Sequence, residues 1–150
     1  MVPVRLRRSR GGDCGAELIE FAFILPLLLL VILGIFDFGF AFQRFEVLTN
    51  AAREGARVGV LPGYGDADIT VRVLDYATTA GLNEAASLLS VSVARPTLGA
   101  GGNTFDAVAV TATYPHTFLF LAPVAAMFGG NFGTITLTAT STMRVEGPSG

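Results

Sequence analysis

The sequence predicts an α+β protein: a long N-terminal membrane-spanning helix followed by a small outer domain with a short helix and an antiparallel sheet of about three strands. Three observations predict it. First, Phe21-Ala-Phe-Ile-Leu-Pro-Leu-Leu-Leu-Leu-Val-Ile-Leu-Gly-Ile-Phe36 carries no charge and resumes after Asp37 as Phe38-Gly-Phe-Ala-Phe42, close to the ~20 residues a helix needs to cross hydrocarbon. Second, helical periodicity continues beyond that run but turns amphipathic and ends at Leu61-Pro-Gly-Tyr-Gly-Asp66. Third, the remainder holds stretches of period-two alternation rich in Val and Thr, the pattern of half-buried strands.

Composition narrows the classes. The chain of 150 residues suits one modest domain besides the span. Its net charge of −2 gives no bulk attraction to nucleic acid. The one cysteine, Cys14, excludes an internal disulfide and a cysteine metal cluster. It precedes the apolar run, whereas a lipoprotein cysteine follows one.

Residues 1–15 form a basic leader, with Arg5, Arg7, Arg8 and Arg10 and no apolar periodicity, and they are expected to be disordered. Basic residues are retained on the cytoplasmic side, so the N-terminus is expected inside and the bulk of the chain outside. The flank beyond the span carries Arg44, Arg53 and Arg57, offset by Glu46 and Glu54. A cleaved secretory signal would have a shorter apolar region and a small-residue site; Phe42-Gln-Arg-Phe45 provides none.

Residues 16–60 are expected to be one helix, bent at Pro26 or Gly55, because proline removes a backbone donor inside a helix. Phe38, Phe42 and Phe45 recur on one face, which suits contact with the sheet or a partner helix. Phe45, Leu48, Ala52, Ala56 and Gly59 lie near one face of the amphipathic part. Arg53 and Arg57, at i and i+4, are either a solvated face or, with the phenylalanines, a subunit-contact face. Glu20 at the start of the apolar run either complements the helix N-terminus or has a specific partner, since a carboxylate inside a membrane must find one.

Residues 61–150 form the outer domain. Asp66 and Asp68 cap a helix running to about Thr79, with Ile69, Val73 and Tyr76 as its apolar face and Gly81 as its end. A calcium loop would need more alternating oxygen donors and a closing Glu. Strands are predicted over 88–95, 105–114 and 134–145, with 96–103 as a loop. Gly99-Ala-Gly-Gly102 lacks the strand-to-helix setting of a phosphate cradle. The apolar excursion Phe118-Leu-Phe-Leu-Ala-Pro-Val-Ala-Ala-Met-Phe128 is too short for a second span. It is expected to cover the sheet as a short helix or loop; if exposed, it would mark a partner or membrane surface. His116, the sole histidine, has no nucleophile or metal-ligand constellation around it in the sequence. No enzyme and no cofactor or metal are therefore expected.

Gly15-Ala16-Glu17-Leu18-Ile19-Glu20-Phe21, the apolar run behind it, the Ala51-Ala-Arg-Glu-Gly-Ala-Arg57 segment and the ending Thr142-Met-Arg-Val-Glu146 resemble the TadE-like proteins. These are pilin-like components of tight-adherence, type IV pilus-related assembly systems. The resemblance implies a pilin-like fold and a minor pilin or pseudopilin in the bacterial inner membrane, incorporated into a pilus or held at its base. It implies cleavage between Gly15 and Ala16 by a prepilin peptidase. It also implies a registry role for Glu20 against the new α-amine of a neighbouring subunit. Partners would be the peptidase, other pilin-like subunits, the assembly machinery and membrane lipid, but no nucleic acid. The alternative is an uncleaved bitopic protein presenting a binding module to another envelope component.

Overall fold

The computed structural model describes residues 13–82, 85–100, 103–127, 129–130 and 133–145. The basic head over residues 1–12 lies outside them. α1 runs unbroken from Asp13–Gly59, through Pro26, a length of about 70 Å at 1.5 Å per residue. It therefore starts before Ala16, and both Gly15 and Ala16 are helical.

The outer half of α1 is the spine of the domain. Asp37, Ala41, Leu48, Ala51, Gly55 and Val58 are buried, and Arg44 is half-buried. Their spacing alternates four and three residues, which keeps one stripe facing a single partner surface. Small residues let the stripe approach closely. A Cβ on Gly59 would lie 2.8 Å from both Ile69 Cδ1 and Val108 Cγ1, and one on Gly55 would overlap Val73.

α2 spans Asp66–Thr79 and buries Ile69, Val73 and Ala77. The acid at Asp68 works as expected: its Oδ2 accepts the Gly65 N–H at 2.9 Å and satisfies a donor at the helix start. Asp66 instead accepts from Arg95, at 2.9 Å to Nη2. Gly81 ends the helix with φ +96°, a conformation glycine adopts without steric cost. A single turn, α3 (Ala85–Leu88), leads into the sheet.

The sheet is built on β3, Asn103–Thr117. β4, Thr134–Arg144, pairs antiparallel along one edge, from Ala107↔Arg144 to Thr117↔Thr134. β1 (Ser90–Ala94) and β2 (Thr97–Ala100) pair with the other edge. Their register is continuous from Ser90↔Thr113 to Ala100↔Asn103, so they are one edge strand interrupted at Arg95 and Pro96. Pro96 has no N–H to donate, although its carbonyl still accepts from Ala107 at 2.9 Å. The expected three-strand antiparallel sheet is thus present.

Two boundaries differ from expectation, each for a local reason. Residues 97–100 are strand rather than loop, because they pair with 103–106 in the register that β1 already sets on β3. β3 also continues through Pro115. In this register the odd residues of β3 point their N–H toward the β1 edge, as Ala107 does toward Pro96. β1 stops opposite Thr113, so the donor that Pro115 lacks would face no strand.

Val108, Val110, Ala112 and Tyr114 of β3 and Ala139 of β4 meet Leu48, Ala52, Ala56, Ile69 and Val73 in one core between the sheet and the helix pair. The opposite face carries small polar residues, including the Thr111–Thr140 hydroxyl pair at 2.9 Å. α4 (Leu121–Met127) follows β3 and has no buried residue. The expectation that it covers the sheet is not met: it packs beside α1, where Leu121 Cδ2 stands 3.9 Å from the Cβ position of Gly34. Pro123 falls in its first turn, where a missing N–H costs nothing.

Candidate assembly helix and its junction with the outer domain

The inner half of α1 is an isolated apolar rod. It is long and apolar enough to cross a membrane, and none of its most apolar stretch is covered by the rest of the chain. Gly15, Ala16 and Glu20 lie on its exposed surface near the start. No Cβ neighbour lies within 4 Å of Gly15. From Ala16 to Asp37 the helix rises about 30 Å, the thickness of the hydrocarbon core. Glu20 and Asp37 therefore stand near opposite ends of the apolar rod.

Asp37 ends that rod and is 1% exposed. A carboxylate buried without partners would be costly. Here its Oδ1 accepts the Leu119 N–H at 2.9 Å, and its Oδ2 accepts those of Phe120 at 2.9 Å and Leu121 at 2.7 Å. The last of these is the first amide of α4, a donor without a partner inside the helix, and the other two immediately precede it. The acid of one helix thus caps another, and fastens the β3–α4 connection to the end of the apolar run.

Seven residues on, Arg44 reaches the same edge of the sheet. Its Nη1 donates to His116 Nδ1 at 2.9 Å, and its guanidinium carbon lies 5.6 Å from the centre of the Tyr114 ring. Accepting at Nδ1 places the proton of the neutral imidazole on Nε2, a buried nitrogen with no hydrogen-bond partner. Burial, then the positive charge of Arg44, hold His116 below its ordinary pKa, with Asp37 opposing. Phe118 packs edge-on against both His116 and Phe38, with centroids 5.3 and 5.6 Å apart. Asp37, Arg44, His116 and Phe118 form a polar-aromatic joint where the rod enters the domain.

The residues expected to form a contact face lie elsewhere. Phe38 touches Phe118 but is half exposed, and Phe42 and Phe45 are exposed, Phe42 at 69%. The sheet packs on the adjacent stripe, so of the two expected partners, the sheet and a partner helix, the sheet is not the one on the phenylalanine face. Arg53 donates to Asn50 at 3.4 Å. Arg57 makes a two-point pair with Glu54, at 2.9 and 2.7 Å. Arg72 of α2 joins the same carboxylate at 2.8 Å. These bonds, first from Arg57 and then from Arg72, bring the Glu54 pKa down to about 2. Among the described residues no group of three or more His, Cys, Asp or Glu could hold a metal.

Asp37 and the Arg44–His116 pair hold this joint, and their pairing was not expected from sequence. The available signal was spacing: Asp37, Ala41, Arg44 and Leu48 share one helical stripe. An acid on an otherwise packing stripe implies a buried partner.

These features define an α+β protein with one candidate membrane helix, whose apolar half stands free of its own domain. The family model described as TadE-like protein matches residues 15–57, nearly the whole of α1, and this is the family the sequence resembles. The match does not extend over the sheet. Neither curated proteins nor solved structures gave a match.

Proposed function

We propose that this chain is a non-enzymatic pilin-like subunit, a minor pilin or pseudopilin, in assembly of a tight-adherence type pilus. In this reading a prepilin peptidase cuts between Gly15 and Ala16, and α1 stays in the inner membrane as a single span with the domain outside. The observation that carries it is the coincidence of the family match with a helix whose apolar half is uncovered by its own domain. A helix of that kind can move from lipid into a bundle of like helices without exposing apolar surface to water.

Glu20 then sits on the fifth residue of the mature chain. Buried among apolar helices, its carboxylate is stabilised by the α-amine of a neighbouring subunit, and this pairing sets the axial register. Arg53 and Arg57 take the solvated role, with Arg57 engaged by Glu54 inside the subunit. The test is Glu20→Ala in cells that make the pilus. Membrane insertion is expected to persist while pilus yield falls sharply; normal pili from that variant would overturn the registry role.

A further inference from the structure

The apolar excursion after β3 remains unexplained by the assembly helix. Leu119 is 65% exposed and Met127 83%, a large area of hydrocarbon for a domain surface in water. The height of this segment decides what covers it. Asp37 caps its first amides, and Leu121 lies against Gly34, one turn back toward the N-terminus. The segment therefore lies alongside the end of the apolar run of α1. Leu121 there closes one side of a shallow groove with Leu30, Gly34, Phe38 and Phe42.

Charge supports the same placement. From residue 107 to 143 the chain contains no Asp, Glu, Lys or Arg. The ion-paired residues of the domain, Glu54, Arg57, Asp66, Arg72, Asp75 and Arg95, lie on other elements, away from this segment. At the end next to the apolar rod, Asp37 is turned inward onto three backbone amides and Arg44 is half-buried against His116 and Tyr114, which leaves the segment after β3 itself without charge.

We infer that the segment from Leu119 through Met127 is a second membrane contact, a short interfacial helix bedded in the outer leaflet beside α1. Asp37 is the clamp that sets its depth. Its occupant is lipid acyl chain rather than protein, because the segment is continuous with the uncovered surface of the span and reaches the same depth. α4 is too short to cross, and Asp37 satisfies its first amide, Leu121, and the two amides before it, which lowers the cost of placing this helix start in a poorly hydrated layer. The domain then rests on the membrane, at two contacts instead of one, which restricts its tilt before assembly. The inference rests on the reading that α1 spans a bilayer.

The experiment uses the full chain with Cys14→Ser, reconstituted at high lipid-to-protein ratio in phosphatidylcholine vesicles. Single cysteines at Leu119→Cys and Met127→Cys carry an environment-sensitive fluorophore. Leu29→Cys serves as the control for the span and Thr138→Cys as the control for the wet face of the sheet. The expected result is blue-shifted emission at 119 and 127, quenched by spin-labelled lipid and insensitive to aqueous iodide, as at 29 and opposite to 138. Iodide quenching at 119 and 127 with lipid quenching at 29 overturns the inference and leaves the span standing. Protection of 119 and 127 from both quenchers would mean a protein surface covers them, and overturns it too. Iodide quenching at 29 overturns the spanning reading, and the inference with it.

Discussion

Replacing Asp37 by Asn keeps the size of the side chain and removes its charge and one acceptor. The carboxylate now takes three backbone N–H bonds of 2.7–2.9 Å on two oxygens. The amide has one oxygen. If that oxygen keeps Phe120 and Leu121, the NH2 group faces the Leu119 N–H, donor against donor. One bond to a charged group, worth about 1.5–3 kcal/mol, is lost, and the two that remain weaken toward neutral values near 1 kcal/mol. The net cost is about 3 kcal/mol, which is about a hundredfold in a local opening constant. It falls on the β3–α4 connection rather than on the core, where Asp37 makes no contribution to the apolar cluster. Hydrogen exchange in lipid nanodiscs reads this directly. The amides of Leu119, Phe120 and Leu121 are expected to exchange about a hundredfold faster in Asp37→Asn, while those of 109–113 in the sheet stay within about threefold of the unmodified protein. Unchanged protection at 119–121 would refute the capping role; a uniform loss including 109–113 would show that the clamp supports the whole domain.

Gly55→Ala is expected to destabilise the outer domain by about 1–3 kcal/mol through overlap with Val73, against a helix-propensity gain of up to about 1 kcal/mol. Gly39→Ala meets nothing within 4 Å and should be neutral or stabilising by thermal melting in detergent. Acid titration carries two signatures of opposite partners but the same sign. The Glu54 pKa is lowered from 4.5 to about 2 by Arg57 and Arg72, so its contribution to stability is present above pH 4.5 and is lost as pH falls toward 2. The His116 pKa is lowered from 6.5, chiefly by burial, so the unfolded chain takes up the proton first and stability declines as pH falls below 6.5. Glu54→Gln should flatten the first phase of the melting-temperature profile and His116→Phe the second. A profile unchanged by either substitution contradicts the corresponding assignment.

What could be read from sequence was whatever depends on local period and local chemistry. The uncharged run before Asp37, the acid at Asp68 that closes the start of α2, and the Val–Thr alternation of β3 and β4 all act within a few residues. The junction was hidden for a physical reason. The donors that satisfy Asp37 are backbone N–H groups 82 to 84 positions away, and a backbone donor leaves no trace in the residue type. The Arg44–His116 bond joins residues 72 positions apart, across a sheet edge whose place against α1 follows from packing. The phenylalanine stripe marks a face without saying what covers it, and within the chain that face stays exposed. Beside it, the smaller and duller Ala41, Ala51 and Gly55 form the true contact with the domain, since small residues allow the closest approach. The excursion 118–128 was correctly judged too short to span, but its position beside α1 depends on Asp37.

The proposed processing of α1 is read most directly from the intact mass of the protein extracted from membranes that contain a prepilin peptidase. The expected result is a chain beginning at Ala16, with Gly15 at the end of the released leader and the full-length form restored when the peptidase is absent. A membrane-extracted chain that still carries residues 1–15 beside an active peptidase, or one cut at any other bond, would contradict it.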